Sequence, residues 1–255
     1  MNLLEAVLLG VVQGITEWLP VSSSGHLVLL QNLFNIEQPV IFDLILHIGS
    51  LIVVLIVFRK SITELIRGIL KGEKAHLRFL FQLILASIPI ALVGILLNDF
   101  IKSIFNDTKT VGFSLLFTAM VLFLSKYPKI KDKALTYKNT FIIGIFQAIA
   151  ILPGVSRSGS TLSAGLMQGV NKKDTARFSF LMFIPAILGA TLFELKNVSQ
   201  VTDMLALTIG TIAAIITGIA SLKLLLYIIN KGKLSYFGWY CLIVGLAILI
   251  PQYLA

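Results

Sequence analysis

Charged residues are scarce in this chain of 255 residues. Asp, Glu, Lys and Arg together make up 13% of it, hydrophobic residues make up 57%, and the mean hydropathy is +0.94. Because charged residues form roughly a quarter of a soluble domain, the composition excludes an ordinary water-soluble protein and predicts an integral membrane protein. Cysteine is nearly absent as well. Cys241 is the single one, so no disulfide can form within the chain.

Long apolar runs take the place of the missing charge. Six of them are long enough, or nearly so, to cross a bilayer as helices. They are 40–58, 79–97, 111–124, 178–193, 204–229 and 236–254. The sequence therefore predicts an all-α polytopic membrane protein that forms a single integral membrane domain over residues 1–255.

The net charge of +9 is unevenly distributed along the chain. Lys and Arg are concentrated in 59–78, 126–138 and 171–177, whereas 99–109 and 196–203 carry balanced charges. This is the positive-inside pattern of membrane proteins, and it predicts that the three basic segments are cytoplasmic loops. We therefore predict no nucleic-acid partner and take the charge as an indicator of topology.

One polar pattern occurs twice in the sequence. Residues of the first copy recur in the second at a constant offset of 134. The matched pairs include Gly10 and Gly144, Gln13 and Gln147, Val21 and Val155, Ser22 and Ser156, Ser24 and Ser158, and Gly25 and Gly159. Polar loops at membrane depth are costly, and they persist where they line a functional site.

The basic segments indicate how these two copies cross the membrane. The segment 139–170 connects two cytoplasmic segments, so it must leave and re-enter on the same side, with a break at Pro153. We predict the same for 1–35, with a break at Pro20, but opening outward. The result is six transmembrane helices and two re-entrant helix–loop–helix hairpins in an inverted-topology repeat, with pseudo-repeats of approximately 1–127 and 135–255.

The first hairpin carries residues suited to chemistry. Gln13 and Glu17 share a helix face, and Glu17 is an ionisable group at membrane depth. After the break at Pro20, Ser23 and His26 lie in the first turn of a second helix, where the imidazole can take or give a proton. A purely structural alternative is that Ser22 or Ser24 caps this helix.

The second hairpin carries Arg157, which aligns with Ser23. The pseudo-twofold axis that relates the inverted repeats would place Arg157 opposite Ser23. A guanidinium at that position is suited to hydrogen-bond phosphate oxygens. The alternative is that Glu17 neutralises Arg157 structurally. Ser156, Ser158 and Thr161 can add hydroxyl donors.

Together these groups suit displacement at phosphorus. If a metal takes part, Glu17 is the best hard ligand, for Mg²⁺ or Ca²⁺. The alternative from another class is an inverted-repeat transporter or lipid flippase, which needs a binding cation but no nucleophile. Asp43 and His47, four residues apart at the start of a predicted span, either face the outer mouth of the site or form a buried pair.

The sequence resembles the undecaprenyl-diphosphatase family, also called the bacitracin-resistance protein family. The resemblance covers essentially the whole chain and is carried by two motifs: Gln13-Gly-Ile-Thr-Glu17 running into Pro20-Val-Ser22-Ser23-Ser24-Gly25-His26, and Pro153-Gly-Val-Ser156-Arg157-Ser158-Gly-Ser-Thr161. Some members have Glu where this chain has Gln13, a change that weakens any two-carboxylate metal site.

The resemblance implies hydrolysis of the C55-isoprenyl lipid carrier diphosphate to its monophosphate and inorganic phosphate, which recycles the carrier for peptidoglycan synthesis and confers bacitracin resistance. It implies a divalent cation and a bacterial plasma membrane location. Because the first hairpin is predicted to open outward, we expect the site to open to the extracytoplasmic side. The sequence leaves the oligomeric state open. The catalytic positions fall on Glu17, Ser23, His26 and Arg157. Ser23 is preferred over His26 as the nucleophile, with His26 as acid and base. The substrate-binding residues are Gln13, Ser22, Ser24, Gly25, Ser156, Ser158 and Thr161.

Overall fold

A computed structural model describes residues 2–36, 40–126, 132–194 and 203–254. Within these ranges the chain is α-helical and forms no strand beyond a single isolated bridge. The helices are α1 (Leu3–Trp18), α2 (Ser23–Phe34), α3 (Val40–Val57), α4 (Arg59–Leu70), α5 (Lys74–Leu96), α6 (Asn98–Ile104), α7 (Thr108–Leu124), α8 (Tyr137–Ile149), α9 (Arg157–Met167), α10 (Lys172–Leu181), α11 (Phe183–Glu194), α12 (Met204–Asn230) and α13 (Tyr236–Leu254). The predicted all-α class is confirmed.

Four stretches of these helices are long and apolar enough to cross a membrane by themselves, and two bent pairs of helices raise the number to six. The four are Lys74–Leu96, Lys172–Phe193, Met204–Asn230 and Tyr236–Tyr253. The bent pairs join α3 to α4 and α6 to α7. The chain is therefore a multi-pass membrane protein, in agreement with the six predicted spans.

The segment 59–78, which we predicted as a loop, differs from that expectation. It contains α4, which bends by 76° from the preceding helix, and the start of α5. Leu65 is buried, and Ile62 and Ile69 pack against the same core. This spacing of i, i+3 and i+7 gives α4 an apolar stripe. The segment was predicted as a loop because its many basic residues stand between the apolar residues of that stripe.

The two predicted hairpins are present as helix–turn–helix units. The first hairpin consists of α1 and α2, and the second consists of α8 and α9. Helices α1 and α8 both begin with a capping box, in which the cap residue and the third helical residue bond each other's backbone. The first hairpin breaks after Trp18, and the second breaks after Ile149 and turns through Gly154, whose φ of 92° favours glycine.

Each hairpin packs against a helix from the other half of the chain. Helix α1 lies along α12, and α8 lies along α5. A Cβ atom at Gly10 would lie 2.1 Å from the Gly210 carbonyl oxygen, and one at Gly144 would lie 2.4 Å from the Ala86 carbonyl oxygen. The repeated glycine therefore serves the same purpose twice, since it lets each hairpin approach the backbone of the opposite half.

We expect Gly10→Ala and Gly144→Ala each to lower the melting temperature of the purified protein by several degrees. The added methyl group meets backbone, which cannot move aside, and overpacking costs about 1–3 kcal/mol. Gly189→Ala is the matched control, because a Cβ atom there meets no atom within 4 Å. Equal melting temperatures for all three variants would show that these crossings tolerate a side chain.

Candidate active site

The turns of the two hairpins meet inside the protein. A Cβ atom at Gly25 would lie 3.0 Å from the Gly154 Cα atom, and one at Gly159 would lie 3.1 Å from the Pro20 Cβ atom. Helix α2 begins at Ser23 and α9 begins at Arg157. The contact of the two turns therefore brings the first residues of both helices, with their unpaired N–H groups, to one place.

The two turns are built by the same hydrogen bonds. Ser22 and Ser156 are the N-cap residues, and their hydroxyl oxygens accept from the N–H three residues on, at 3.3 and 3.1 Å. The hydroxyls of Ser24 and Ser158 lie 3.3 and 3.2 Å from those capping oxygens. The capping alternative is therefore correct for Ser22, and Ser156 caps in the same way. Ser22 also has a φ of 70°, which is strained for a serine.

A buried carboxylate lies at the centre of the site. Glu17 is only 7% exposed. Its Oε2 accepts a hydrogen bond from the Ser23 hydroxyl at 2.6 Å and from the Gln13 amide at 3.2 Å. Its Oε1 accepts from Arg157 Nη2 at 2.8 Å. These four residues, which we call the Glu17 cluster, join the two hairpins, because one carboxylate links a hydroxyl of the first to the guanidinium of the second.

Arg157 is held in place and is only partly satisfied. Its guanidinium lies 4.2 Å from the centre of the Phe183 ring and 5.8 Å from that of Trp18. The pairing with Glu17, which the sequence offered as the structural alternative, is present. However, Nη1 of Arg157 is buried and has no hydrogen-bond partner among the described residues. A buried, unpaired guanidinium nitrogen is a donor available to an anion.

The structure gives Ser23 a different hydrogen-bond partner from the one expected. We expected His26 to take its proton, but Glu17 is the acceptor. His26 Nδ1 lies 2.7 Å from the Ser22 carbonyl oxygen, and Nε2 lies 2.7 Å from the Tyr240 hydroxyl. The bond to the carbonyl of the preceding turn orients the imidazole toward α13, so both ring nitrogens are engaged.

Of Asp43 and His47, the structure places His47 beside the Glu17 carboxylate. His47 Nε2 lies 3.6 Å from Glu17 Oε2, and Nδ1 is bonded to the Asp43 carbonyl oxygen. His47 is therefore part of the site. Ser50, one turn further along α3, lies 3.4 Å from the Gln13 amide nitrogen. No motif in the sequence indicated Ser50.

Thr161 is the predicted site residue whose hydroxyl is most fully occupied. It donates to the Arg157 carbonyl oxygen at 2.8 Å and lies 2.6 Å from the Ser179 hydroxyl. Thr161 is also fully buried. It therefore connects α9 to α10 behind the guanidinium, and contact with a substrate remains a prediction for this residue.

The oxygen atoms of the Glu17 cluster determine which kind of metal ion the site could bind. In the described residues, no group of three or more His, Cys, Asp or Glu side chains could hold one. Glu17 and the side-chain Oε1 of Gln13, which is buried and has no partner in the described part of the chain, are hard donors. Mg²⁺ is commonly bound by one or two carboxylates together with substrate phosphates. The donors fit a hard cation that is shared with a phosphorylated ligand.

The fold and the site define a class of protein: a polytopic membrane protein in which two helix–turn–helix hairpins build a buried polar centre. The family model of the bacitracin resistance protein BacA matches residues 6–247. This chain belongs to that family, as the motifs predicted.

Relatives of the chain match it from end to end. The undecaprenyl-diphosphatase of Halothermothrix orenii is 44% identical over 260 residues, covering 98% of each chain. That of Bacteroides thetaiotaomicron is 42% identical and covers 99% of this chain and 100% of its own. That of Methanosphaera stadtmanae is 41% identical and covers 98% of each.

Proposed function

We propose that this protein hydrolyses undecaprenyl diphosphate to undecaprenyl phosphate and inorganic phosphate. The observation that carries the proposal is the Glu17 cluster, in which one carboxylate binds both a serine hydroxyl and a guanidinium that has a free donor. The names of the full-length relatives support it. The reaction would recycle the lipid carrier for cell-wall synthesis and so confer bacitracin resistance.

Ser23 is the proposed nucleophile. Its oxygen attacks the terminal phosphorus, the bond from that phosphorus to the bridging oxygen breaks, and undecaprenyl phosphate leaves. Glu17 is positioned to take the Ser23 proton, since its Oε2 lies 2.6 Å from the hydroxyl. His26 protonates the departing undecaprenyl phosphate and takes a proton back from the water that then cleaves the phosphoserine. Glu17 returns its proton to the Ser23 oxygen, and inorganic phosphate is released.

Arg157 binds the phosphate oxygens in this scheme. Without substrate its Nη2 pairs with Glu17, and its buried Nη1 has no partner among the residues that the structure describes. A diphosphate would bind Nη1 and compete with Glu17 for Nη2, because a guanidinium suits bidentate contact with phosphate. The arrival of substrate thereby frees Glu17 to act on Ser23. The N-termini of α2 and α9 add N–H groups and favourable dipoles.

A divalent cation, Mg²⁺ or Ca²⁺, is part of the proposal. Glu17 and the carbonyl oxygen of Gln13 would hold it together with the diphosphate. When bound, it would offset the negative charge that the phosphate oxygens bring into a buried site. Arg157 beside Glu17 argues against a tightly held ion in the absence of substrate.

We further propose that the protein lies in the bacterial plasma membrane and that its site opens to the extracytoplasmic side. The distribution of Lys and Arg supports this orientation, because the basic segments are those that the positive-inside rule retains in the cytoplasm. The isoprenyl tail would remain in lipid while the diphosphate enters the cluster.

Labelling of single cysteines tests the orientation in a Cys241→Ser background. We expect Asp99→Cys to react with a membrane-impermeant maleimide in intact cells, and Lys173→Cys to react only after permeabilisation. Both positions are exposed in the structure. The reverse labelling pattern would overturn the proposed sidedness. Gln38 would serve as a second outer position by the same charge argument, but it lies outside the described residues.

Phosphate release by the purified protein tests the function itself. We expect release from undecaprenyl diphosphate in detergent, and its loss with EDTA and recovery with added Mg²⁺ or Ca²⁺. An inverted-repeat transporter or lipid flippase would bind the same lipid and release no phosphate. Release that is unaffected by EDTA would remove the cation from the proposal and leave the hydrolysis in place.

A further inference from the structure

Tyr240 lies on α13 and contacts the imidazole of His26, 214 residues away in sequence. Its hydroxyl oxygen lies 2.7 Å from His26 Nε2, and the two rings stack with centroids 5.7 Å apart and planes 13° apart. The next residue, Cys241, is buried, with Sγ 3.5 Å from the Pro20 carbonyl oxygen. Helix α13 is thus fixed against the turn of the first hairpin, and Tyr240 is held over His26.

The hydrogen bonds determine which nitrogen of His26 can change its protonation. Nδ1 lies 2.7 Å from the Ser22 carbonyl oxygen. A carbonyl oxygen only accepts, so Nδ1 carries a hydrogen whether the ring is neutral or charged. Nε2 is therefore the nitrogen that gains or loses the proton, and it faces the Tyr240 hydroxyl.

A phenolic hydroxyl is suited to this position because it can reverse its role. It donates to Nε2 when the imidazole is neutral and accepts from Nε2–H when the imidazole is charged. The ring can then change protonation without turning. No charged side chain is paired with His26 within the described ranges. Tyr240 is thus the side-chain partner that serves both protonation states.

We propose that Tyr240 is the positioning residue for His26. It fixes the imidazole as the Nδ1–H tautomer with Nε2 available, which is the form that serves as acid and base in the proposed hydrolysis. This inference rests on the proposed function for its effect on the rate, but the Tyr240–His26 contact can be tested on the protein without substrate.

Nitrogen NMR of the three histidines tests the contact. The full-length protein is labelled with ¹⁵N-histidine in detergent micelles, and His26 is assigned by its absence from the spectrum of His26→Asn. We expect the wild type to show His26 as the Nδ1–H tautomer at high pH. Tyr240→Phe removes the hydroxyl and keeps the stacked ring. It should change the Nε2 shift and move the titration midpoint of His26 by about half a pH unit or more. Tyr236→Phe, one turn earlier on α13, is the control and should change neither.

Kinetics on the same variants tests the consequence. Tyr240→Phe should lower kcat by about tenfold or more with KM changed less than about twofold, since it alters proton transfer and not phosphate binding. Its rate should also follow pH with the shifted midpoint seen by NMR, which a purely structural role would not produce.

Three results separate the possibilities. An unchanged His26 spectrum in Tyr240→Phe would overturn the contact. A changed spectrum with wild-type kcat would overturn the positioning role. Wild-type protein that releases no phosphate would refute the proposed function and with it the effect on rate, while the NMR comparison would still decide the contact.

Discussion

Arg157→Ala is expected to lower the rate of phosphate release from undecaprenyl diphosphate by about 1000-fold or more. The substitution removes the guanidinium that would bind the phosphate oxygens. It also leaves Glu17 as a buried carboxylate without its 2.8 Å partner, which is strongly destabilising. The measurement is release of inorganic phosphate by the purified variant, with its melting temperature recorded alongside.

Two further variants separate a lost phosphate contact from a lost fold. Arg157→Lys keeps a positive charge near Glu17 but loses the planar fork, so we expect a folded protein with a large remaining defect. Arg177→Ala is the matched control, because Arg177 also stacks on an aromatic ring, at 5.0 Å from that of Phe79, but lies outside the Glu17 cluster. A defect of equal size in Arg177→Ala would show that the effect is structural.

Glu17→Gln is expected to lower the rate by about 100- to 10,000-fold, the range for loss of a general base. Glutamine has nearly the same shape as glutamate, so the packing of the cluster is retained. It cannot accept the Ser23 proton, and it no longer balances the charge of Arg157. Glu5→Gln on the same helix is the control, since Glu5 is half-buried outside the Glu17 cluster and glutamine also suits its capping box. A Glu17→Gln protein with wild-type turnover would exclude Glu17 as the base.

The membrane fold was predictable because apolar runs and charged segments alternate clearly in this sequence. The breaks at Pro20 and Pro153 were also predictable, since polar, glycine-rich turns stand out in apolar surroundings. Helix α4 was not predicted, because its apolar stripe is divided among basic residues. The apolar stripe of α4 is buried because the helix bends away from α3, and no local sequence pattern predicts that bend.

The contents of the site were more predictable than its hydrogen bonds. Arg157 was expected opposite Ser23 from the internal repeat, and the structure joins the two through Glu17. The partner of Ser23 was not foreseen, because spacing on one helix favoured His26. That outcome depends on the bond from His26 to the Ser22 carbonyl and on Tyr240, a residue of a distant helix. Sequence proximity cannot show a contact across 214 residues.

The repeat also shows how the two hairpins divide the proposed chemistry. The copies agree where serine caps a helix, and they differ at the positions that bear reactive groups. Glu17, Ser23 and His26 of the first copy correspond to Ile151, Arg157 and Ser160 of the second. The first hairpin would supply the nucleophile and base, and the second would supply the phosphate-binding cation.

Phosphate release by Ser23→Ala is the most direct test of the proposed centre. The comparison is with Ser87→Ala, which removes a half-buried membrane serine hydroxyl that bonds only its own helix, to the Leu83 carbonyl oxygen at 2.8 Å. If Ser23 attacks phosphorus, Ser23→Ala will be at least about 1000-fold slower than wild type while Ser87→Ala keeps wild-type activity. Equal release by the two variants would show that the Ser23 hydroxyl does not attack phosphorus.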